Sequence, residues 1–536
     1  MTRGTLNHSN AFAPNWPIAG RIILVGFFLL LVALTLRRLF GLDQLFLWHD
    51  EVYTLVRVFG HPVEQGWAAL FSGTIRTPDE MLALQRPDPS QGLASTWHAL
   101  IGHPEHAPLY YLLGWLATRL PLDPVLALRG TAALFGILVP AAAYWLMREL
   151  FGRGPVPWVA AMLIACSPLH LLYAQEARQY SLWLLLVLAS SAALVRALRE
   201  LRTGDWWLYG MLLTVGLYTH LLFALMLPVH AAYGWLCARR RAGSTRDHRQ
   251  DLPLLPWLLA AVGALILFLP WGIVVLLGLE RTVDFTAWMS RPAGASANLL
   301  AWGHSLVRGV VDLWPDEPPA GSLLLLMPLA AALVYYLRFA PTPARWFLPL
   351  TALAYVAVVL GPDLLFGGVR SQHGRYGLPA ILAAQLMTAW TLGSTLTKRG
   401  RARAAASLGL AGLIGLGLAS QLRIGEAETW WNKNPNLSAQ SPDAVQILNR
   451  QQRPFLAVGA SDLSLGQLLS VARALDDRVR ILGVRRDTPP SALPADLEQL
   501  VLLIPSKSLL AVLGPRFIVE PLGDGKMWAV ATAARD

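Results

Sequence analysis

Apolar runs long enough to cross a bilayer recur along this chain and limit its fold more than any other feature. A crossing helix needs about 20 mostly apolar residues. "RIILVGFFLLLVALTLRRLF" (Arg21–Phe40) is the first such run. Only 14% of the 536 residues are charged, against roughly 25% in soluble domains, so much of the chain does not face water. The 21 Trp and 13 Tyr often flank the runs, as aromatic residues do at membrane interfaces. We therefore expect an all-α polytopic membrane protein with about eleven spans. They lie near 21–41, 125–147, 157–174, 180–198, 206–220, 221–237, 254–278, 322–338, 346–366, 377–397 and 404–422. No small-residue cleavage site follows the first run, which reads as a retained helix.

The formal net charge of +11 invites a nucleic-acid partner, but the distribution excludes it. Basic residues fall between alternate runs: Arg148 and Arg153; Arg196, Arg199 and Arg202; Arg239, Arg240, Arg241, Arg246 and Arg249. Arg338 and Arg345 follow, then Lys398, Arg399, Arg401 and Arg403. Excess Lys and Arg in short loops marks the cytoplasmic side. This places the N-terminus inside and residues after about 423 outside. Two cysteines, Cys166 and Cys237, suggest neither a structural disulfide nor a metal site.

"HAPLYYLLGWLATRL" (His106–Leu120) is short for a crossing and would invert every later loop if it crossed. It reads instead as a helix in the outer interface, with Tyr110, Tyr111 and Trp115 at headgroup level. Residues 42–124 then form one large external loop with interfacial helices. Arg37 and Arg38 break the charge rule at the outer end of the first span; contact with lipid phosphate is one account of them.

The external loops gather the polar chemistry. "LWHDEVYT" opens the first with two adjacent carboxylates, Asp50 and Glu51, beside Arg57, His103, Glu105 and His106. An Asp at such a position is either a helix N-cap or a working group. The second turn, "YAQEARQY", holds Tyr173, Gln175, Glu176, Arg178 and Tyr180; Glu176 and Arg178 could pair with each other, yet ionisable groups at membrane depth are functional candidates. A third loop, "FGGVRSQHGRYGLP", places Arg370, His373, Arg375 and Tyr376 at the mouth of a span. Arginine suits phosphate because its planar fork donates two parallel hydrogen bonds, although a basic lipid anchor has the same composition. His220, in "YTHLLF", reads as a structural histidine. Carboxylates in one loop and cations in two others suit group transfer from a phosphate-linked lipid: a carboxylate takes the acceptor's proton and cations stabilise the departing phosphate. No glycine-rich nucleotide-binding motif is present.

"WHDEVYT", "HAPLYYLL", "ALRGTAALFG", "QEARQYSL" and "GRYGLP" occur in this order. In sequence they resemble the GT-C membrane glycosyltransferases, in the bacterial branch related to protein O-mannosyltransferases and the lipid A aminoarabinose transferase. The resemblance covers roughly residues 20–420. It implies a polyprenyl-phosphate sugar donor and an acidic catalytic motif in the first external loop. Asp50 matches the family's catalytic carboxylate, with Glu51 beside it. His106, Pro108 and Tyr110 match a substrate-binding "HPPLYY" segment, from which Ala107 departs, and Val52 replaces a common alanine. Glu176 and Arg178 match the second external motif, with Tyr180 following, and Arg375 with Tyr376 match the "RY" near the donor phosphate. Arg370 and His373 join that donor set. No cofactor is certain; a divalent metal, if used, would fall to Asp50, Glu51 and Glu176.

These readings give a GT-C transmembrane glycosyltransferase domain at 1–422 and a soluble α/β domain at 423–536. In the second, "PFLAVGA", "VRILGV", "QLVLLIPS", "RFIVEPL" and "KMWAVATA" read as strands, and "LSLGQLLSVARAL" and "SLLAVLG" as helices. Trp430 and Trp431 suit either stacking on sugars or interface anchoring. The expected activity is inverting transfer of a hexosyl or pentosyl group to a lipid, glycan or protein acceptor. The setting is the outer, periplasmic face of a bacterial cytoplasmic (inner) membrane. Rival readings are a lipid-linked oligosaccharide ligase or polymerase, a transporter or flippase, and a scaffold without catalysis. A transporter would show internal repeats and broken helices at midplane; no repeat is evident.

Overall fold

A computed structural model describes residues 18–242, 254–523 and 525–534; Arg246 and Arg249 of the expected cytoplasmic cluster lie outside them. Eight helices are long and apolar enough to cross a membrane: Arg21–Leu39, Pro124–Phe151, Tyr180–Glu200, Leu221–Arg240, Leu255–Leu277, Ala320–Phe339, Ala344–Phe366 and Arg401–Ile424. A ninth crossing results if the bent pair Pro155–Cys166 and Pro168–Ala174 is one span. The expected spans near 206–220 and 377–397 coincide with Thr203–Leu217, of 15 residues, and Leu378–Leu396, which carries Gln385, Thr388, Thr391 and Ser394. By length and composition, the described residues thus supply eight or nine crossings. Tyr180–Glu200 is buried nearly throughout and forms the centre of the bundle. Leu255–Leu277 exposes Leu258, Leu259, Ile266 and Leu267 on its outer face.

The bent pair explains the anomalous arginine. Its two halves meet at 61° across Ser167, where Pro168 lacks an N–H and cannot continue the helix. The freed carbonyls are not left bare. Arg38, fully buried, donates from Nη2 to Ile164 O (2.9 Å) and from Nη1 to Ala165 O (3.3 Å), and Gln421 donates to Ala165 O at 3.0 Å. Arg38 therefore satisfies backbone inside the protein rather than meeting lipid phosphate. The short helix that follows delivers Gln175, Glu176 and Arg178 to one end of the bundle.

The C-terminal region forms the expected strands, β1 (Phe455–Gly459), β2 (Arg480–Val484), β3 (Gln499–Leu503), β4 (Phe517–Leu522) and β5 (Trp528–Ala533). Their order is β2-β1-β3-β5-β4. The β1–β2 and β1–β3 pairs are parallel, and the β3–β5 and β4–β5 pairs antiparallel. Ser464–Ala472 and Lys507–Leu513 are the two expected helices. One face of the sheet buries Ala457, Leu482, Leu500 and Leu502 against Leu509 and Leu513. The other face, with Leu456, Val458, Ile481, Val501 and Trp528, shares a single core with Leu47, Val52, Leu55 and Val56 of the first external loop. That loop also covers the open edge of β2, where Arg76 and Ile481 exchange both backbone hydrogen bonds at 2.8 Å; covering removes an aggregation-prone edge. The approach is close. A Cβ on Gly483 would lie 2.2 Å from Leu70 O, and one on Gly466 2.3 Å from His49 Nδ1.

Candidate active site

Asp50 and Glu51 lie in the first turn of His49–Val58, a helix whose N-cap is Trp48. Glu51, at the third helical position, reaches back to the Trp48 N–H at 3.4 Å. The capping role therefore falls to Glu51, and Asp50 is left for something else.

Glu51 is fully buried and every lone pair is used. Arg129 meets it bidentately, Nε to Oε1 and Nη2 to Oε2, both at 2.8 Å. The Ala177 N–H donates to Oε1 at 2.8 Å and Lys433 Nζ to Oε2 at 2.8 Å. Burial pushes this carboxyl's pKa up, but Arg129 and then Lys433 outweigh it and bring it down to about 2. Arg129 spends its remaining donors on the carbonyls of Leu42 (2.7 Å), Leu45 (2.8 Å) and Phe46 (3.3 Å), which fastens the start of the first loop to the bundle.

Asp50 is half-buried, and its ion-pair partner is Arg375 Nη2 at 3.7 Å. Burial raises its pKa; Arg375 and Arg178 overcome that and hold it below the usual carboxylate range. Arg178, buried, donates from Nη1 to the Asp50 carbonyl (3.4 Å), Thr54 Oγ1 (3.3 Å) and Tyr111 Oη (3.2 Å). Its Nε, like that of buried Arg57, has no hydrogen-bond partner among the described residues. Arg375 lies over the rings of Trp48 (5.4 Å) and Tyr376 (5.2 Å). His373 packs edge-on against Trp288 at 4.8 Å. Burial, then Arg375, push its pKa down to about 3, so at neutral pH it offers an N–H rather than a charge.

The other expected site residues divide. Tyr180 is buried with Arg178 over its ring at 5.9 Å, and half-buried His106 sits 3.5 Å from Glu105, its pKa pushed well down by burial, then Arg57 and Arg178. Both line the cluster. Arg370 is held by Asp363 (2.9 Å) and Ser290 Oγ (3.0 Å) and anchors its loop. Tyr110 is fully buried and donates to Leu128 O at 2.8 Å. Tyr111 is equally buried, so the expected interfacial placement of these two rings is corrected: the nine-residue helix Leu109–Ala117 turns Tyr110, Tyr111 and Gly114 into the protein, while Trp115 stays half-buried and Leu116 exposed. Glu176 does not pair with Arg178. Asn432 donates to its Oε2 at 2.8 Å, and Lys433 lies 3.6 Å away. His220 stacks on Trp183 at 4.0 Å and caps a 3-10 turn, the structural role expected of it.

The metal reading does not fit these residues. Both oxygens of Glu51 and the Oε2 of Glu176 are taken by Arg129, Lys433 and Asn432, and among the described residues no three His, Cys, Asp or Glu side chains are placed to hold an ion.

Sequence reasoning missed Arg129, Asn432 and Lys433 and gave Arg57 no task. Arg129 carried a signal, as a lone charge within an apolar run. Lys433 carried none, because its partner is 382 positions away. Trp430 and Trp431 both donate to Asp312 Oδ2, at 2.9 and 2.5 Å, and Arg308 covers Trp431 at 4.0 Å. They anchor to protein, not to a sugar or the interface.

Over 97% of this chain and 100% of that one, the fold matches ArnT from Cupriavidus metallidurans bound to undecaprenyl phosphate, with a TM-score of 0.52 and 14% identity. The chain has the GT-C fold. This GT-C chain is also similar to the apo oligosaccharyltransferase of Archaeoglobus fulgidus, with a TM-score of 0.50 and 13% identity over 90% of this chain and 69% of that one. Residues 105–274 match the profile of the family described as dolichyl-phosphate-mannose-protein mannosyltransferase. No curated protein sequence matches the chain.

Proposed function

We propose that this GT-C chain is an integral membrane glycosyltransferase that moves a sugar from a polyprenyl-phosphate donor to an acceptor at the outer face of a bacterial inner membrane. The observation that carries the reading is the contrast within one helical turn: Glu51 is saturated, while Asp50 is accessible and faces Arg375 at 3.7 Å. Beside it stands Arg178, with Arg57 next to Arg178 in turn; the buried Nε of each has no partner among the described residues. The likeness to a fold solved with undecaprenyl phosphate and the family profile support a lipid-phosphate donor.

In this mechanism the Asp50 carboxylate takes the proton of an acceptor hydroxyl or amine as its lone pair attacks the anomeric carbon. The bond from that carbon to the phosphate oxygen breaks, and polyprenyl phosphate leaves with the electron pair. Arg178, Arg375 and Arg57 stabilise its charge, with the N–H of His373 and the ring of Tyr376 beside them. Attack opposite the phosphate inverts the anomeric centre in one step.

The orientation follows from charge. Arg196–Asp205 (2.9 Å) and Arg199–Glu149 (2.5 Å) lie at the far end of Tyr180–Glu200, whose 21 residues span about 30 Å, away from Asp50. The basic turns face the cytoplasm and the site faces out.

The test uses purified protein in liposomes with undecaprenyl-phosphate-linked sugars, following release of undecaprenyl phosphate. Turnover that persists unchanged in Asp50→Asn would remove the assignment.

A further inference from the structure

The segment joining the bundle to the C-terminal sheet enters the site. After Arg401–Ile424 ends, four consecutive side chains plug into the membrane domain. Trp430 and Trp431 reach Asp312, Asn432 reaches Glu176, and Lys433 reaches Glu51 at 2.8 Å and Glu176 at 3.6 Å. Backbone bonds hold the segment in register: Phe46 N–H donates to Glu428 O at 2.8 Å, and Lys433 N–H to Trp430 O at 2.8 Å. Asn434, at φ +54°, then turns the chain away. Lys433 is fully buried, as are both carboxylates it meets.

Two buried carboxylates share one lysine. Glu51 faces Arg129 and Lys433, and the Tyr110 phenol lies near it. Glu176 meets Lys433 and Asn432 through Oε2 only; its Oε1 has no partner among the described residues, and Asp50, Arg375 and Tyr173 are close by. Burial pushes this carboxyl's pKa up, Lys433 opposes that, and the neighbouring Glu51 and Asp50 add to it, so Lys433 is the cation that keeps Glu176 charged. Two carboxylates are thus met by two cations, and Arg129 has no donor left to give. Without Lys433, one buried negative charge would stand uncompensated beside Asp50, Arg178 and Arg375. Such a charge is costly, and it opposes an incoming phosphate.

We propose that Lys433 is a positioning residue of this site: carried in by the tether, it balances Glu51 against Glu176 and keeps the pocket around Asp50 receptive to a lipid phosphate. The proposal rests on the donor reading above. It makes the tether part of the active centre, so that a GT-C bundle truncated before residue 430 lacks a complete site.

The test reads binding of undecaprenyl phosphate to the full-length protein in nanodiscs, with thermal unfolding alongside. A single charge roughly 10 Å away at an effective dielectric of about 20 changes affinity on the order of tenfold. Lys433→Met, with one negative charge too many, should weaken binding by about that factor. Glu176→Gln, with one too few, should bind as well as the unaltered protein or more tightly. The double variant restores the balance and should return close to the starting affinity, and Lys433→Arg should stay near it throughout. A loss in Lys433→Met that Glu176→Gln does not share and the double variant reverses is what packing cannot produce. Normal binding by Lys433→Met, or losses that add in the double variant, would overturn the proposal. If Lys433→Met does not fold, the double variant decides, and its failure to fold also overturns it. Failure of the unaltered protein to bind would remove the donor reading itself, a separate result from any of these.

Discussion

Asp50 and Glu51 are sequence neighbours whose surroundings differ in kind. Around Glu51 every acceptor site is filled: by a bidentate arginine, a lysine, and the backbone N–H groups of Ala177 and Trp48. Around Asp50 the cations stand off, with Arg375 at 3.7 Å and Arg178 engaged with the main-chain carbonyl at 3.4 Å. A saturated carboxylate holds structure and is a poor base, since its lone pairs are spent. An accessible carboxylate among under-used guanidiniums can accept a proton while those cations receive an anion. The same helical turn thus supplies a fixed point and a working group, and each can be broken separately.

Asp50→Asn should break the working side with the largest effect, lowering turnover by about 10²–10⁴-fold while binding of undecaprenyl phosphate survives. Steady-state release assays together with lipid titration would check both halves. Loss of binding along with turnover would mean that Asp50 holds the pocket rather than the proton.

Glu51→Gln should break the fixed side. Removing one member of a buried, hydrogen-bonded ion pair costs roughly 3–5 kcal/mol, visible as a lowered unfolding midpoint in detergent. The pH dependence has a definite sign. Because Arg129 and Lys433 bring the Glu51 pKa from 4.5 to about 2, its contribution is complete above about pH 4.5 and is lost as the pH falls through about 2. A Glu51→Gln protein as stable as its parent at neutral pH would show that the pair is compensated elsewhere.

The cations sharpen the contrast further. Arg375→Ala should cost about 1.5–3 kcal/mol of phosphate affinity, tenfold or more. Arg370→Ala, five positions earlier, should leave affinity nearly unchanged, because that guanidinium is already held by Asp363 and Ser290. Equal losses in the two variants would mean that Arg370 binds the donor phosphate as Arg375 does.

The difference between those two arginines also shows how far the residues alone could be read. Apolar length made the bundle legible, and alternating apolar strands made the C-terminal sheet legible, because both signals are local. The loops that carry Asp50, Arg178 and Arg375 were found for the same reason: polar groups at the ends of apolar runs stand out. What could not be read was pairing across the chain. Arg370 and Arg375 look alike until Asp363 is placed beside one of them. Tyr110 and Tyr111 look interfacial until Leu128 and Arg178 are seen to take their hydroxyls. Thr203–Leu217 lies near an expected span but is shorter than the eight crossing helices, and Leu378–Leu396 matches their length but is less apolar. In Leu378–Leu396 the polar residues are satisfied inside the bundle, as Gln385 is by His170, Ser167 and Gly309.

The smallest expected effect lies at the tether's other anchor. Asp312 is fully buried and accepts from both indoles, with Arg308 at 3.8 Å. Burial raises its pKa from 3.8 to about 6 despite those partners, so the folded protein binds this proton more tightly than the unfolded chain. Its contribution therefore runs opposite to that of Glu51: stability declines as the pH rises from about 4 to about 6, and is level above. An amide in its place cannot titrate. Asp312→Asn should reduce this decline in the unfolding midpoint measured between pH 4 and pH 7, leaving the acid-side loss due to Glu51 in place; Glu176, whose carboxyl burial also pushes up, supplies a decline of the same sign. If the decline is undiminished in Asp312→Asn, the indole–carboxylate anchor is already ionised across that range.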